Sequence, residues 1–414
     1  MTIADASVPV VVFPIFRHGG LGIARSLGRA GVAVYGVHRD LREPAAFSRY
    51  WSGTFQFDAE QASSDASVPF LLEISKRIGG HPLLIPSSDV TAVFVAENAP
   101  ILRDAFLFPQ QSAQLLRTLS NKKAMYLMCR RMGIPTAETT FPQSRTEVLR
   151  YLKTARYPIV LKGIDGSLLE RRARIRLEIA ENERELLQMY DRLEDPENPN
   201  LMLQEYIPGG DDSVWMFNGY FNRNSECLIG FTGRKIRQYP IHRGATCLGI
   251  CERNEIVEQG AKKLLEQVGY QGIVDMGYRY DVRDGKFKLL DVNPRIGATF
   301  RLFVDVNGLD VVRALYLDLT RQSVHPALSR DGRKWIVEDN DVIAFTGYRR
   351  TGELTFFEWL RTFRGVREAA WFAADDQKPF WATCLRYLKR LLRRTLAKNS
   401  FHRKNGLQQE PTDG

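Results

Sequence analysis

The chain has 414 residues, of which 44% are hydrophobic and 26% charged, and its formal net charge at pH 7 is +10. This composition excludes a disordered protein, and the length predicts two or three domains. No uninterrupted run of about 18 apolar residues is present and no basic segment precedes an apolar one at the start of the chain, so we expect neither a transmembrane helix nor a signal peptide.

The cysteines and the distribution of charge narrow the class of protein further. The five cysteines are scattered, and Cys247 and Cys251 lie close together without a second pair that would complete a zinc site. We therefore expect reduced thiols and a cytoplasmic protein. The positive excess is compatible with nucleic acid, membrane or anionic substrates, and much of it falls between Arg386 and Lys404, which include eight Lys or Arg and no acid.

The N-terminal residues predict the opening of a doubly wound domain. An apolar strand at 9–14 precedes a glycine-rich turn at 17–22, a helix at 23–30 and a second strand at 32–37. The glycines do not match the spacing of a dinucleotide-binding turn, but Asp40 lies about twenty residues further on. A Rossmann-type oxidoreductase that binds NAD therefore stays open as an alternative.

A further buried strand is predicted at 82–86, directly before Ser87, Ser88 and Asp89. These polar side chains either cap the helix that follows or contact a ligand at the carboxyl end of the strand. The first domain is predicted to end near residue 115.

The next two hundred residues predict a mixed α+β region. Its predicted elements are helices at 121–132, 181–193 and 255–268, strands at 158–161 and 201–207, and strands around Asp275 and Asp291.

The most informative run is Asp291-Val292-Asn293-Pro294-Arg295, which follows an apolar stretch. On an extended segment Asp291 and Asn293 point the same way, and their carboxylate and amide oxygens suit Mg²⁺ with nucleotide phosphates. Arg295 would then offset charge on a transferring phosphoryl group. A strand end followed by an Asx/Pro turn is the structural alternative.

Residues 326–414 depart from this pattern and are predicted as a C-terminal extension. A basic amphipathic helix is predicted at about 380–400, with an apolar stripe that begins at Trp381, Cys384, Leu385 and Leu388. Such a helix either lies on an anionic membrane or docks its apolar side onto the body. Nucleic acid is not expected as a partner, and the polar tail from 404 is predicted to be disordered.

From Lys122 through Arg295 the chain resembles the ATP-grasp superfamily, specifically its carboxylate–amine ligases. The resemblance implies a combined α/β and α+β fold: a Rossmann-like domain (1–115) that precedes the grasp, a two-lobed catalytic domain (116–325) with a hinge near 204–209, and the basic helical extension. The Asp-x-Asn-Pro-Arg run is the specific element, and the others gain weight from their order.

By this resemblance Lys122 and Lys162 contact the nucleotide phosphates. Lys162 closes the apolar strand 159–161, where a lysine must bring its charge to an anion or to water. Each lysine is also explained as a solvated side chain on an apolar stem.

The run that begins Gln204-Glu205-Tyr206-Ile207 resembles the hinge that holds the base. The resemblance places adenine on the backbone carbonyl of Glu205 and the N–H of Ile207, supported by Gln204, with Asp212 or Asp211 on the ribose. A strand that ends in a Pro-Gly turn is the structural alternative.

Two cationic segments complete the implied site. The loop 165–174 stands where the family has a flexible flap over the phosphates. The strand 233–240 stands where the family faces the γ-phosphate and acceptor, and alternation predicts Lys235 and Arg237 on one face. A solvated strand is the alternative.

The chain departs from the family at Gly277, where a Glu or Gln normally supplies the first metal ligand. Glycine has no ligating atom, so we expect Asp275, two residues earlier on the same strand face, to take that role with Asp291 and Asn293. The departure leaves a second hypothesis open, a nucleotide-binding protein with a regulatory or scaffold role and little turnover.

The resemblance implies a ligase that uses ATP and Mg²⁺, with Mn²⁺ as an alternative ion, to convert a carboxylate into an acylphosphate that an amine attacks. The implied catalytic residues are Arg295, Lys235 and Arg237. Small carboxylate and amine substrates are the expected partners, with an anionic membrane surface and a homo-oligomer left open. The predicted location is the cytoplasm, with contact to the inner membrane face as the open alternative.

Overall fold

The computed structural model describes residues 2–15 and 17–389. Residues 390–414, which include part of the predicted basic helix and the predicted disordered tail, lie outside the described residues. Within the described part, no helix is both long and apolar enough to cross a membrane.

The N-terminal residues form a parallel four-stranded sheet in the order β3-β2-β1-β4, as the sequence predicts for a doubly wound domain. The strand β1 is completely buried, which explains its unbroken apolar run. The elements are β1 (Val10–Phe13), α1 (Arg17–Gly28), β2 (Val34–His38), β3 (Trp51–Gln56), α2 (Ser64–Ile78), β4 (Leu83–Pro86), α3 (Asp89–Glu97), α4 (Ala99–Leu102), α5 (Ala113–Ser120) and α6 (Lys122–Arg131).

A second sheet, antiparallel and four-stranded, follows in the order β5-β8-β6-β7. We call this unit the small lobe. Its helices pack on one face around a core that includes Val148, Leu161 and Leu186. The elements are β5 (Thr139–Thr140), α7 (Arg145–Leu152), β6 (Ile159–Gly163), α8 (Gly166–Ala173), β7 (Leu177–Ala180), α9 (Glu183–Leu193) and β8 (Leu201–Glu205).

The expectation of a loop at 165–174 is wrong, because α8 occupies most of this segment. Leu169 is buried in the core of the small lobe, and the Asp165 Oδ1 accepts a hydrogen bond from the Leu168 N–H in the first turn. The burial of Leu169 and the cap provided by Asp165 therefore stabilise a helix in this segment, where a loop was expected.

The remaining strands form a seven-stranded sheet in the order β13-β12-β9-β10-β11-β14-β15, which we call the large sheet. Its elements are β9 (Val214–Phe221), β10 (Cys227–Tyr239), β11 (Ala245–Cys251), α10 (Glu255–Gln267), β12 (Gly272–Asp281), β13 (Lys286–Asn293), α11 (Val311–Leu319), β14 (Lys334–Ile336), α12 (Glu338–Arg350), α13 (Phe356–Thr362) and β15 (Val366–Ala369).

The described part of the predicted extension is not a separate unit. The strand β14 pairs with β11, and β15 pairs with β14, so both strands continue the large sheet beyond residue 325. Trp335 on β14 is completely buried in the largest core cluster. The boundary at 325 therefore divides one sheet, because the apolar side chains that anchor β14 lie downstream of it.

The N-terminal domain is tied to the end of the described chain by a buried arginine. The guanidinium of Arg25 on α1 donates to the Asp376 carboxylate (2.9 Å), to the Trp371 carbonyl (2.7 Å) and to the Ala370 carbonyl (3.1 Å). The Ser48 hydroxyl also donates to Asp376 (2.6 Å). Because each partner is buried, the contact fixes the C-terminal segment against α1.

Residues 378–389 are helical, as predicted, and we call them the terminal helix. Thr383 is buried against the body, and the Tyr387 hydroxyl donates to the Asp339 carboxylate (2.9 Å). The predicted apolar stripe, by contrast, lies on the solvent side at Trp381 and Leu385. The expectation that this stripe docks onto the body therefore does not hold for the described residues.

Candidate active site

The carboxylates predicted to bind metal lie on adjacent strands at one edge of the large sheet. In the pairing of β12 with β13, Asp275 lies opposite Asn293 and Gly277 opposite Asp291. The Asn293 amide nitrogen lies 3.3 Å from the Asp275 Oδ2 and 3.5 Å from the Asp291 Oδ2. The structure thus brings the three predicted side chains together, with the Asn293 amide nitrogen towards the carboxylates and its Oδ1 towards Arg295.

Gly277 leaves room that Asp291 fills. A Cβ at position 277 would overlap the Asp291 Oδ1, so no larger side chain fits there with Asp291 in place. Asp275 packs in the same manner against Gly297, where a Cβ would overlap its carboxyl group. The two glycines therefore leave the space that the two carboxylates occupy.

Neither Asp275 nor Asp291 forms an ion pair with an arginine or lysine within the described residues. Burial raises the pKa of Asp275 to about 6, with Arg295 opposing that shift and Asp291 adding to it. No group of three or more His, Cys, Asp or Glu side chains that could hold a metal occurs among the described residues. Two carboxylates and one amide suit Mg²⁺, which takes few protein oxygens and completes its shell with phosphate and water.

Two lysines approach this edge from different sheets. Lys162 stands near the end of β6 in the small lobe. Burial and the Lys122 charge, opposed by Asp291, together lower the pKa of Lys162 to about 8. Burial also lowers the pKa of Lys235 on β10, while Asp291, Asp211 and Asp275 counteract this effect. Both lysines thus sense the Asp291 carboxylate without forming an ion pair to it within the described residues.

The side-chain amines of Lys122 and Lys235 are held by main-chain carbonyls. The Lys122 Nζ donates to the carbonyl of Ile164 (3.4 Å), beside the first residue of α8. The Lys235 Nζ donates to the carbonyl of Gly244 (2.9 Å) and to the Gln238 Oε1 (3.0 Å). Neutral acceptors orient these cations and leave their charge available to an anion.

Arg295 is oriented by a residue of the N-terminal domain. Its Nε donates to the Asp89 Oδ1 (3.1 Å), its Nη2 to the Asn293 Oδ1 (3.2 Å) and its Nη1 to the Ile296 carbonyl (3.0 Å). The Ser88 hydroxyl caps α3, so capping is the role of that serine. Asp89 is the first residue of α3, and its carboxylate also accepts the hydrogen bond from Arg295 of the large sheet.

The placement of Arg237 beside Lys235 is wrong. The pairing of β10 with β11 shifts register on both sides of Arg237, so the alternation that would place the two cations on one face is interrupted. Arg237 is buried and donates to both oxygens of Asp341 (2.7 and 3.1 Å) and to the Thr362 hydroxyl (2.8 Å). Arg237 thus connects β10 to α12 and α13 and does not contact Asp275, Asp291 or Asn293.

The hinge residues lie at the end of β8 as predicted. The Gln204 amide donates to the Thr139 hydroxyl (2.9 Å), which turns this side chain into the small-lobe sheet. The Glu205 carboxylate accepts hydrogen bonds from Lys288 (2.9 Å) and Arg283 (2.8 Å). The Ile207 N–H has no protein acceptor within the described residues, which leaves it available to a ligand.

The two candidate ribose ligands differ in their contacts. The Asp211 Oδ1 accepts from the Gln238 amide (2.8 Å), and its Oδ2 accepts from the Tyr348 hydroxyl. Asp212 is exposed and forms no ion pair within the described part of the chain. The structure therefore distinguishes a structural Asp211 from an available Asp212.

Sequence reasoning missed Arg279, which lies on the same face of β12 as Asp275. Its Nη2 donates to the Gly209 carbonyl (2.5 Å), and its guanidinium lies 5.7 Å from the centre of the Tyr206 ring. It thus connects the large sheet to the hinge. The period of two along β12 was the signal that could have identified it.

Comparisons with known proteins identify a similar sequence and similar structures. No family model matches the chain. The chain is 25% identical over 240 residues to the D-aspartate ligase of Enterococcus faecium (strain Aus0004), a match that covers 56% of this chain and 57% of that protein. The chain thus spans little more than half the length of this curated relative.

Solved structures match more of the chain at lower identity. The biotin carboxylase domain of Hydrogenobacter thermophilus 2-oxoglutarate carboxylase, solved as a dimer with MgADP, ADP and bicarbonate, has a TM-score of 0.59 and 16% identity, covering 79% of this chain and 73% of that one. The L-amino acid ligase of Bacillus licheniformis has a TM-score of 0.58 and 13% identity, covering 80% and 79%. The described part of this chain therefore has the fold of these solved structures, the ATP-grasp fold.

Proposed function

We propose that the protein is an ATP-dependent carboxylate–amine ligase that forms an amide or peptide-like bond through an acylphosphate. One observation carries the proposal: oxygen donors and incompletely neutralised cations from two sheets meet at one edge. The residues that meet there are Asp275, Asp291, Asn293, Lys162, Lys235 and Arg295.

The metal-binding residues we propose are Asp275, Asp291 and Asn293. When bound, Mg²⁺ supplies positive charge against the phosphate oxygens. The chain itself holds the two carboxylates in place through the space at Gly277 and Gly297. Mn²⁺ has the same preference for oxygen and is the proposed substitute.

The nucleotide is proposed to lie between the small lobe and the large sheet. Lys122 and Lys162 would bind its phosphates, and the Ile207 N–H and Glu205 carbonyl its base, with Gln204 contributing through the shape of the hinge strand. Asp212 would bind the ribose. The free N–H of Ile207 and the exposed carboxylate of Asp212 support these assignments.

In the first proposed step, a carboxylate oxygen of the substrate attacks the γ-phosphorus of ATP and ADP leaves. In the second step, an amine attacks the acyl carbon, the nitrogen loses a proton and inorganic phosphate leaves. Arg295, held by Asp89, would stabilise charge on the transferring group and then on the tetrahedral oxyanion. Lys235, held by Gly244, would face the same charge from β10.

The substrates are small molecules, and we propose an amino acid as one of them. The printed names of the relative and of one structural neighbour, a D-aspartate ligase and an L-amino acid ligase, support this choice. A dimeric neighbour supports testing for a homo-oligomer. The five cysteines are all free, in keeping with the proposed cytoplasmic location.

The proposal is tested by measuring ADP and phosphate release with Mg²⁺–ATP and pools of amino acids as acids and amines. We expect release that requires Mg²⁺ and both substrates. A protein that binds a nonhydrolysable ATP analogue but releases no phosphate with any pool would be the nucleotide-binding regulatory protein instead. Gly277 is the observation that favours this second candidate, since the side chain that usually completes the metal site is missing there.

A further inference from the structure

The helix α13 exposes a cluster of apolar side chains. Phe357 is 73% exposed and Leu360 is 43% exposed. The opposite side of the helix is anchored, because the Trp359 ring stacks on Phe345 with their centres 4.5 Å apart. Thr355 and Glu358 form a capping box that fixes the start of the helix. The exposed aromatic side is therefore a defined surface of a fixed helix.

The terminal helix exposes a second apolar row. Trp381, Leu385 and Leu388 are 59%, 50% and 53% exposed and follow one another at intervals of four and three residues. These intervals place the three side chains on one face of the helix. Thr383 and Tyr387 hold the other face against the body, so the apolar row points outward by packing.

The helix α12 connects the two clusters. Asp339, Val342 and Phe345 are spaced by three residues and lie along one side of α12. Asp339 contacts the terminal helix through Tyr387, Phe345 contacts α13, and Val342 between them is exposed. We call the exposed apolar residues of these three connected helices, taken together, the apolar face: Val342, Phe356, Phe357, Leu360, Trp381, Leu385 and Leu388.

The charges around the apolar face are unevenly matched. Four carboxylates of the segment 338–389 form ion pairs with arginines: Asp341, Glu368, Asp375 and Asp376. Four others accept hydrogen bonds without an arginine or lysine partner and keep their negative charge: Glu338, Asp339, Glu353 and Glu358. Several exposed arginines of the same segment form no ion pair within the described residues: Arg349, Arg350, Arg361, Arg364 and Arg367. These five arginines, together with Lys378 and Lys389, outnumber the four carboxylates that keep their charge, so the free charge of the described segment is positive. The sequence beyond 389 continues with basic residues.

We propose that the apolar face lies on an anionic phospholipid membrane. Aromatic and leucine side chains would enter the boundary between headgroups and acyl chains, while the unpaired arginines contact the phosphates. A second copy of the chain would bring like charges together around the same face, so charge complementarity favours the membrane. This interaction goes beyond the ligase activity and does not depend on it.

The experiment measures binding of the full chain to vesicles in the absence of ATP and substrates. Vesicles of phosphatidylcholine with phosphatidylglycerol are compared with vesicles of phosphatidylcholine alone. We expect binding to the anionic vesicles only, weakened by salt. The Phe357→Ser/Leu360→Ser and Trp381→Ser/Leu385→Ser variants should each bind about tenfold more weakly, since less apolar area is buried.

The matched control replaces two exposed apolar residues outside the face, Val282→Ser/Leu328→Ser, and should bind as the wild type does. Thermal unfolding verifies that each variant is folded. Equal binding by the wild type and the face variants, or no binding by the wild type, would overturn the proposal. So would a dimer in sedimentation experiments that only the face variants disrupt, or complete loss of binding on deletion of 390–414 with no effect of the face substitutions.

Discussion

The two edges of the large sheet differ in whether their carboxylates form ion pairs. At the β14–β15 edge, the Glu368 carboxylate lies between Arg301 (2.8 Å) and Arg333 (2.7 Å). At the β12–β13 edge, Asp275 and Asp291 share one amide and form no ion pair within the described residues. The arginines neutralise the first carboxylate, whereas the second pair has no such partner, and it is there that we propose a bound cation.

The pKa values follow the same division. Burial opposes ionisation of Glu368, but its arginine partners outweigh that effect and lower its pKa to about 2. Burial raises the pKa of Asp275 to about 6, although Arg295 opposes the shift. A carboxylate whose partners compensate for burial is structural, and one whose partners do not is a candidate ligand.

The largest expected effect is on the reaction rate, for a substitution at the β12–β13 edge, where the carboxylates have no ion pair. Asp291→Ala should lower the rate of phosphate release by about a thousandfold, because it removes a negative charge that the metal and both lysines face. Thermal unfolding should change little, since Asp291 has no ion pair within the described chain. Steady-state phosphate release and thermal unfolding check the two parts.

The matched control is Asp104→Ala, which removes an exposed carboxylate that pairs with Arg103 and with no residue of the candidate site, and it should leave the rate unchanged. If Asp291→Ala retained wild-type turnover, the β12–β13 edge would not be the metal site, and the comparison of the two edges would lose its functional meaning.

The second prediction compares the effects on stability and on turnover of replacing two cationic residues of β10, Arg237 and Lys235. Arg237→Ala should lower the free energy of unfolding by about 3 kcal/mol, because the buried Asp341 carboxylate loses its ion pair. Lys235→Met should lower turnover while costing much less stability, since its partners are neutral oxygens. Urea unfolding and kinetics of both variants test this, and the reverse pattern would restore Arg237 to the site.

The third prediction concerns how stability depends on pH through Glu368 at the β14–β15 edge. The pKa of Glu368 is lower in the folded protein, about 2, than its ordinary value of 4.5, so ionisation favours folding. Its stabilisation, about 3 kcal/mol, is present above pH 4.5 and is lost as the pH falls towards 2. The difference in unfolding free energy between wild type and Glu368→Gln should shrink over that window; a constant difference would contradict the pairing.

The smallest effect is a pair of glycine substitutions. Gly277→Ala should weaken Mg²⁺-dependent binding of a nonhydrolysable ATP analogue by about tenfold, because its methyl group displaces the Asp291 carboxylate. Gly260→Ala, inside α10 with open space around it, should raise stability by about 0.5–1 kcal/mol and leave binding unchanged. Calorimetric titration with the analogue and thermal unfolding distinguish the two.

Residues whose roles follow from a strand pattern could be placed from the sequence. Asp275, Asp291 and Asn293 come together because the period of two and the order of the strands determine where they point. Their proposed functions still depend on the experiments above, but their proximity was predictable. The N-terminal parallel sheet was predictable for another reason, since its strands β1 and β4 are short, fully apolar runs.

What the sequence could not provide lies in the long-range contacts. The bulges around Arg237 depend on how β11 pairs with β10, and Asp341, its partner, lies 104 residues away. Asp89 lies 206 residues from Arg295. The strands β14 and β15 have too few residues to be recognised alone, and they are stable only on the edge of a sheet formed by earlier strands.

The buried contact between Arg25 and Asp376 has a consequence for the order in which the protein is made. During synthesis the ribosome delivers α1 at the start, whereas the carboxylate that Arg25 needs is delivered only after a further 351 positions. The nascent N-terminal domain must keep this guanidinium hydrated until then. We therefore expect that α1 reaches its final packing only after nearly the whole polypeptide has been translated.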